Sequence, residues 1–247
     1  MEIKILYEDE NVVVIDKPAG VVVNRAESVK GETLQDWMEK KFKIQNLNFK
    51  TTDDELLFFK RSGVVHRLDK DTSGVMVLSK NPEVMLELMR QFKERETEKT
   101  YVALAHGKLE PDRGEIRVPL SRTRQDRRKF GVVLGGKMTV TSYLVLERFE
   151  GSSNYQDGFS LVELHPKSGR THQLRVVLKH LGHVIVGDGH YLGRKRAKAD
   201  EKWCKRQFLH AKSLCFKDAI TAEKVCFSAE LPHELADSLE YVRKMRK

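Results

Sequence analysis

The sequence predicts an α+β protein built on a mixed, mainly antiparallel sheet. Apolar runs of strand length and apolar positions at helical spacing occur along the same chain. They follow one another without the regular strand–helix–strand alternation of a parallel sheet. The 247 residues are 40% hydrophobic and 33% charged, with 16 Gly and 6 Pro. That is enough chain for a buried core, and it excludes collagen-like, low-complexity and wholly disordered sequences.

Ile3 to Tyr7 and the β-branched run Val12 to Ile15 read as a hairpin around Glu8–Asn11. Lys17-Pro-Ala-Gly20 ends the second strand, because proline removes a ladder donor and glycine permits a turn. Leu34, Trp37, Met38 and Phe42 fit one face of a short helix. Asn46 to Glu55 is polar and reads as a loop ahead of the apolar run Leu56 to Phe59. Val75 to Leu78 is a further apolar run, and Pro82 suits the first turn of a helix with Met85, Leu88, Met89 and Phe92 on one face. Tyr101 to Ala105 and Met138 to Leu146 read as strands. Leu174, Val177, Leu178 and Leu181 recur at helical spacing and stop at Gly182. Leu235, Leu239 and Val242 mark a last amphipathic helix with a basic end. No repeat or linker divides the chain, so residues 1–247 read as a single domain.

Lys and Arg number 45 against 36 Asp and Glu, a net charge of +9. Such an excess suits a polyanionic partner, nucleic acid before membrane; the plainer alternative is a Lys-rich surface. Cys204, Cys215 and Cys226 form neither a disulfide framework nor a zinc site by spacing, and read as reduced thiols of a cytoplasmic protein. No signal-peptide pattern precedes the first strand, and no apolar run is long enough to cross a bilayer. Phosphate-loop, zinc-protease, dinucleotide and nucleophile-elbow motifs are absent, and His180 and His183 lack a neighbouring acid or cysteine.

The most unusual segment is Gly63-Val-Val-His66-Arg67-Leu68-Asp69-Lys70-Asp71-Thr72-Ser73-Gly74, with apolar runs on both sides. Buried flanks make the charged stretch emerge as a turn at a sheet edge. Asp69 then lies among His66, Arg67 and Lys70, and positive neighbours favour its ionised form. A carboxylate in a basic setting serves as nucleophile or base on a polyanion; the plainer reading is a charged turn in which Asp69 or Asp71 caps its own backbone. Lys167 to Arg175 opens the helix of Leu174 and places Arg170 and Arg175 near an anion-favouring helix start. These arginines bind phosphate or pair with a carboxylate, or else form a solvated basic face. Tyr101, after Lys99-Thr100, is either packing or a base-stacking ring.

Taken together and in order, these segments resemble the motifs of the RluA-type pseudouridine synthases. His66 to Gly74 resembles the catalytic motif, in the branch with His before Arg-Leu-Asp; Lys99 to Tyr101 resembles the tyrosine motif, and Gly169 to Arg175 the arginine motif. Asp16 to Gly20, Leu181 to Asp188 and Leu209 to Ala211 match as well. The resemblance implies a mainly antiparallel sheet split by a basic catalytic cleft. It also implies an isomerisation of uridine in RNA, either rRNA or tRNA, by a monomer without cofactor or metal. Asp69 would be the nucleophile, Tyr101 would stack on the target base, and Arg175 would pair with Asp69. Arg67 would fill the space of the flipped uridine, with Arg170 and His66 completing the substrate-binding set. The pattern begins near residue 3, leaving no place for the accessory N-terminal RNA-binding domain of many members, and Val184 stands where members often have Pro. Arg122 to Lys129 is a basic loop that grips phosphates or is a solvated hairpin tip. A non-catalytic RNA-binding protein would not demand Asp69, Tyr101 and Arg175 together. A glycosidase would want two carboxylates flanking one bond, whereas Asp69 and Asp71 are two apart.

Overall fold

In the computed structural model, which describes residues 1–44 and 52–245, the hairpin expected at the start of the chain is present. Strand β1 (Lys4–Glu8) pairs antiparallel with β2 (Val12–Lys17). The Asp9 carboxylate closes the turn by accepting the Asn11 and Val12 N–H groups at 2.7 Å each. Helix α1 (Leu34–Phe42) starts from Thr33, whose side chain and backbone exchange bonds with Asp36 in a capping box. Helix α2 (Asp53–Arg61) starts the same way from Thr52 and Glu55. The stretch Asn46–Glu55 read as loop is thus corrected at its end, where Asp53–Glu55 form the first helical turn. The signal was the Thr-x-x-Glu spacing, which outweighs the polar composition; residues 46–51 of that stretch lie outside the described residues. Strand β3 (Ser73–Ser79) pairs antiparallel with β2, and α3 (Pro82–Glu94) follows with Pro in its first turn and Asn81 accepting the Val84 N–H.

The chain continues through β4 (Glu98–His106), β5 (Arg113–Arg122), β6 (Phe130–Val132), β7 (Lys137–Phe149) and β8 (Phe159–Pro166). Helices α4 (Gln173–His180) and α5 (Arg194–Asp200), strands β9 (Leu209–Lys217) and β10 (Lys224–Ser228) and helix α6 (His233–Lys244) complete it. Two compact units result: Met1–Glu98 with Ser213–Glu230, and Lys99–Lys212 with the segment from Leu231 onward. Within the first, the strand order is β1-β2-β3-β9, with β10 antiparallel to β9. Val12, Val14, Val75 and Val77 pack under Val84, Met85 and Leu88 of α3. Each such side chain contributes about 1.5–3 kcal/mol relative to exposure, and this burial holds α3 on the sheet. Within the second unit, the order is β9-β4-β8-β7-β5-β6, with antiparallel pairing from β4 through β6. Leu174, Val177 and Leu178 of α4 and Leu235, Leu239 and Val242 of α6 join its core. Among the described residues no helix is long and apolar enough to cross a membrane.

The cysteine reading is overturned. The β9–β10 register sets Cys215 opposite Cys226, and the two form a disulfide across 4.1 Å between Cα atoms. Spacing alone could not show this, because the pairing depends on the turn in which Asp218 accepts the Ile220 and Thr221 N–H groups. Cys204 is free and buried, and burial pushes its thiol up to about 11.

Candidate active site

The aspartate motif belongs to the first unit and begins at Gly63, with φ of +74°. A Cβ there would lie 2.0 Å from the Ser79 carbonyl oxygen, so only glycine lets this backbone reach β3. The Gly63 carbonyl takes the Ser79 N–H at 2.9 Å, and Val64 bridges to Leu78. Beyond it the chain leaves the sheet. Leu68 is buried, Arg67 and Lys70 are exposed, and Asp69 is half-buried between them. Thr72 N–H donates to the Asp69 carbonyl at 3.1 Å, forming the expected turn over Lys70 and Asp71. His66 is anchored: its Nε2 accepts the Val77 N–H at 3.2 Å, and its ring stacks on Phe92 at 4.3 Å.

Lys17 is the residue that sequence reasoning missed in this unit. Its side chain is 0% exposed, and its Nζ donates to the carbonyls of Pro18 (2.8 Å), Val21 (3.0 Å) and Lys70 (3.0 Å). Gly20 N–H also donates to the Lys70 carbonyl, at 2.9 Å. A buried ammonium is costly unless its donors are met, and three main-chain acceptors meet them here. Asp16-Lys-Pro-Ala-Gly20 therefore does more than end a strand: it braces the turn that carries Asp69. The available signal was a lysine closing an otherwise buried β-branched run.

In the second unit, Arg175 enters from the first turn of α4, and its side chain is 3% exposed. Its Nε and Nη2 donate to Asp188 Oδ2 and Oδ1 at 2.7 Å each, a bidentate pair. The guanidinium also lies over the Tyr191 ring at 5.1 Å. Gly187, with φ of +71°, sets the approach of Asp188, since a Cβ would stand 2.1 Å from the Arg206 carbonyl oxygen. The Tyr191 hydroxyl accepts the Phe130 N–H at 3.1 Å and lies 2.8 Å from His172 Nδ1. One tyrosine thus ties the start of α4 to β6. Asp188 and Tyr191 carried no role in the sequence reading, although the acid of Gly187-Asp188 was the natural partner for a buried arginine.

Arg170 and Arg175, grouped by sequence, are opposites in structure. Arg170 is exposed, its N–H donates to Gln173 Oε1 at 3.1 Å, and its guanidinium has no ion pair among the described residues. Tyr101 is half-buried on β4, in register with Leu164 and packed against the core of this unit. The basic segment Arg122–Lys129 is the tip joining β5 to β6, and it is internally ordered. Thr123 Oγ1 donates to the Asp126 carbonyl at 2.7 Å, and Arg122 Nη1 to the Arg127 carbonyl at 2.9 Å. The Arg128 guanidinium hydrogen-bonded to Asp126 holds that carboxyl below its ordinary value. Arg124 and Arg127 are exposed and have no ion pair among the described residues.

Residues 11–180 match the family described as RNA pseudouridylate synthase. The chain is 36% identical over 245 residues to the uncharacterized RNA pseudouridine synthase YlyB of Bacillus subtilis, covering 99% of this chain and 74% of that protein. It is 35% identical over 255 residues to the ribosomal large subunit pseudouridine synthase D of Pseudomonas aeruginosa, covering 100% of this chain and 74% of the relative. Among solved structures, human RNA pseudouridylate synthase domain containing 4 superimposes with a TM-score of 0.69 at 27% identity, covering 99% of this chain and 95% of that one. The sheet class and the family likeness carried by the motifs agree with these matches. The chain belongs to the RNA pseudouridylate synthase family, and it is an isomerase that acts on RNA.

Proposed function

We propose that the protein isomerises particular uridines in structured RNA with Asp69 as the nucleophile and with the target base flipped out of its stack. The observation that carries this reading is the braced turn, where a half-buried carboxylate stands between two exposed cations on a backbone pinned by Lys17. In the reaction Asp69 forms a transient bond to the substrate as the bond from ribose to the uracil nitrogen breaks. The base rotates, a ribose-to-carbon bond replaces the lost one, and the bond to Asp69 breaks again. The proton given up by that carbon is balanced by one taken up at the freed nitrogen. Nothing is oxidised or reduced, so no redox cofactor is required, and the resemblance implies a metal-free reaction, so chelation by EDTA is expected to leave turnover unchanged.

Flipping is a physical necessity, because a side-chain carboxylate does not reach a stacked nucleotide. Arg67, exposed beside Asp69, takes the space the uridine vacates. Tyr101 stacks on the base, and Arg175, held by Asp188, belongs to the substrate-binding set. His66, tied to Val77 and Phe92, steadies the segment that presents Arg67 to the substrate. Arg170 and the Arg122–Lys129 tip bind phosphates. Both compact units serve as one catalytic domain of a cytoplasmic monomer. Large-subunit ribosomal RNA is the substrate to test first, because a relative with 35% identity carries that name; tRNA is the second.

The test incubates bulk RNA from cells lacking the gene with the parent protein or with Asp69→Asn, then maps pseudouridine. The parent is expected to add it at defined sites, and Asp69→Asn to bind RNA without converting it. Near-normal conversion by Asp69→Asn would remove the nucleophile from this position.

A further inference from the structure

The Lys/Arg-rich stretch from Gly193 to Arg206 matches none of the motifs assigned above. In the second unit it forms one wall of a cavity of about 790 Å³, of the size that holds small-molecule and nucleotide-sized ligands. Arg194, Lys195, Arg196 and Lys202 line it together with Trp203 and Tyr241, and no carboxylate does. None of the residues placed in the catalytic set lines it.

The interior of the cavity is fixed. Arg196 Nη1 donates to the Asn154 carbonyl at 2.6 Å, and its guanidinium lies over the Tyr155 ring at 4.7 Å. Trp203 Nε1–H donates to the Tyr155 hydroxyl at 2.8 Å, and that hydroxyl donates to Asp200 Oδ1 at 3.1 Å. Asp200 is fully buried, accepts the Gly187 N–H at 2.9 Å and lies 2.8 Å from His106 Nε2. Its charge is spent inward and does not neutralise the cavity. Tyr241 stacks on Trp203 at 5.2 Å and 25°, yet is 50% exposed. Arg194, Lys195 and Lys202 are exposed and have no carboxylate partner among the described residues.

A half-exposed aromatic held on a second ring, beside cations without counter-charge, matches the two faces of a nucleotide: a flat base and an anionic phosphate. We propose that this cavity is a second RNA-binding site, which takes a single-stranded stretch of the RNA with a base on Tyr241 and phosphates on Arg194, Lys195 and Lys202. The site adds affinity without reading sequence, because every base has a stacking face. The proposal rests on RNA as the substrate class but is independent of the role given to Asp69.

The test uses the full chain and a fluorescent oligoadenylate of about 12 nucleotides, which contains no uridine to convert. Arg194→Ser, Lys195→Ser and Lys202→Ser combined are expected to weaken binding at least tenfold and to lower the salt slope by about 2, at roughly 0.7 per phosphate contact. Tyr241→Ala is expected to weaken binding by about five- to a hundredfold, the loss of one stacked base, with the salt slope kept and with Tyr241→Phe restoring affinity. The chain has 2 tryptophans, so Trp37→Phe leaves Trp203 as the sole emitter. Its fluorescence is expected to fall as oligoadenylate is added, and to stay constant in the triple variant. The variants at Arg194, Lys195, Lys202 and Tyr241 should unfold near the parent temperature and convert uridine at saturating RNA as the parent does, while Trp37→Phe, at a buried residue, serves only as the common background of the fluorescence series. The proposal is overturned if the triple variant keeps the parent's affinity and salt slope, or if Tyr241→Ala binds like Tyr241→Phe. It is likewise overturned if phosphatidylserine vesicles quench Trp203 and oligoadenylate does not.

Discussion

The ammonium of Lys17 and the main-chain carbonyl of Lys70 are 3.0 Å apart, although 53 residues separate them in sequence. That bond fixes the Lys70–Asp71 peptide, one residue beyond Asp69, and it makes Lys17 a positioning residue for the proposed nucleophile. Lys17→Met keeps most of the stem and removes the ammonium. The Pro18 and Val21 carbonyls would lose this donor, while the Lys70 carbonyl would keep only the Gly20 N–H, and an acceptor left unsatisfied away from water costs about 1–3 kcal/mol. The expected result is a loss of several kcal/mol in urea unfolding together with a kcat reduced at least tenfold and a KM near that of the parent. Parent-like kcat in a folded Lys17→Met protein would show that the turn holds Asp69 without this brace.

The two arginines of the α4 segment should separate cleanly in stability. Arg175 is bidentate with Asp188, and both are almost fully buried, at 3% and 1% exposed. Removing one partner of such a pair costs about 3–5 kcal/mol, because the other charge is left buried. Arg170→Met, at an exposed guanidinium, is expected to stay within about 0.5 kcal/mol of the parent. Arg175→Lys should recover little, since an ammonium does not reproduce the two parallel bonds. Denaturant midpoints of the three variants check this; equal midpoints for Arg170→Met and Arg175→Met would contradict the pairing.

The start of α1 supplies a pH signature. At Asp36 burial works against the charge, but the Thr33 hydroxyl and N–H and the Arg25 guanidinium outweigh it and hold the carboxyl at about 2. A carboxyl whose folded-state pKa is lowered stabilises the fold above its unfolded value, and that stability is lost as pH falls through the folded one. Asp36→Asn is therefore expected to cost about 0.5–2 kcal/mol at pH 6. The difference from the parent should shrink between roughly pH 4 and pH 2. Urea titrations of both proteins across that range measure it; a gap that widens on acidification would reverse the assignment.

Thiol counting tests the β9–β10 register. The chain has 3 cysteines, of which Cys215 and Cys226 are bonded and Cys204 is buried with a thiol pushed up to about 11. Native protein purified without reductant should react negligibly with a thiol reagent at pH 7.5. After denaturation one thiol should appear, and after reduction three. Three thiols in the unreduced, denatured chain would show that the pair is open.

Local chemistry along the chain was enough for the first hairpin, for α1, α3, α4 and α6, and for the order of motifs that carries the family. In each of these elements the deciding interactions are between near neighbours: β-branched runs, helical spacing, Asn81 with Pro82, a glycine after α4. Composition misled where a cap outweighed it, as at Thr52 and Glu55. Asp69 and Arg175 stood out in sequence because their motifs are contiguous, but their supports did not. Which carbonyl Lys17 reaches, that Asp188 and not solvent faces Arg175, and that Cys215 meets Cys226 were decided by turns and strand register. The charge of Arg194, Lys195 and Lys202 was visible as composition, while the stacked pair Trp203 and Tyr241 beside it joins two segments far apart in the chain. The physical reason is common to all of these: a side chain's type and spacing set which face it occupies, but a partner distant in sequence is chosen only when packing fixes both backbones.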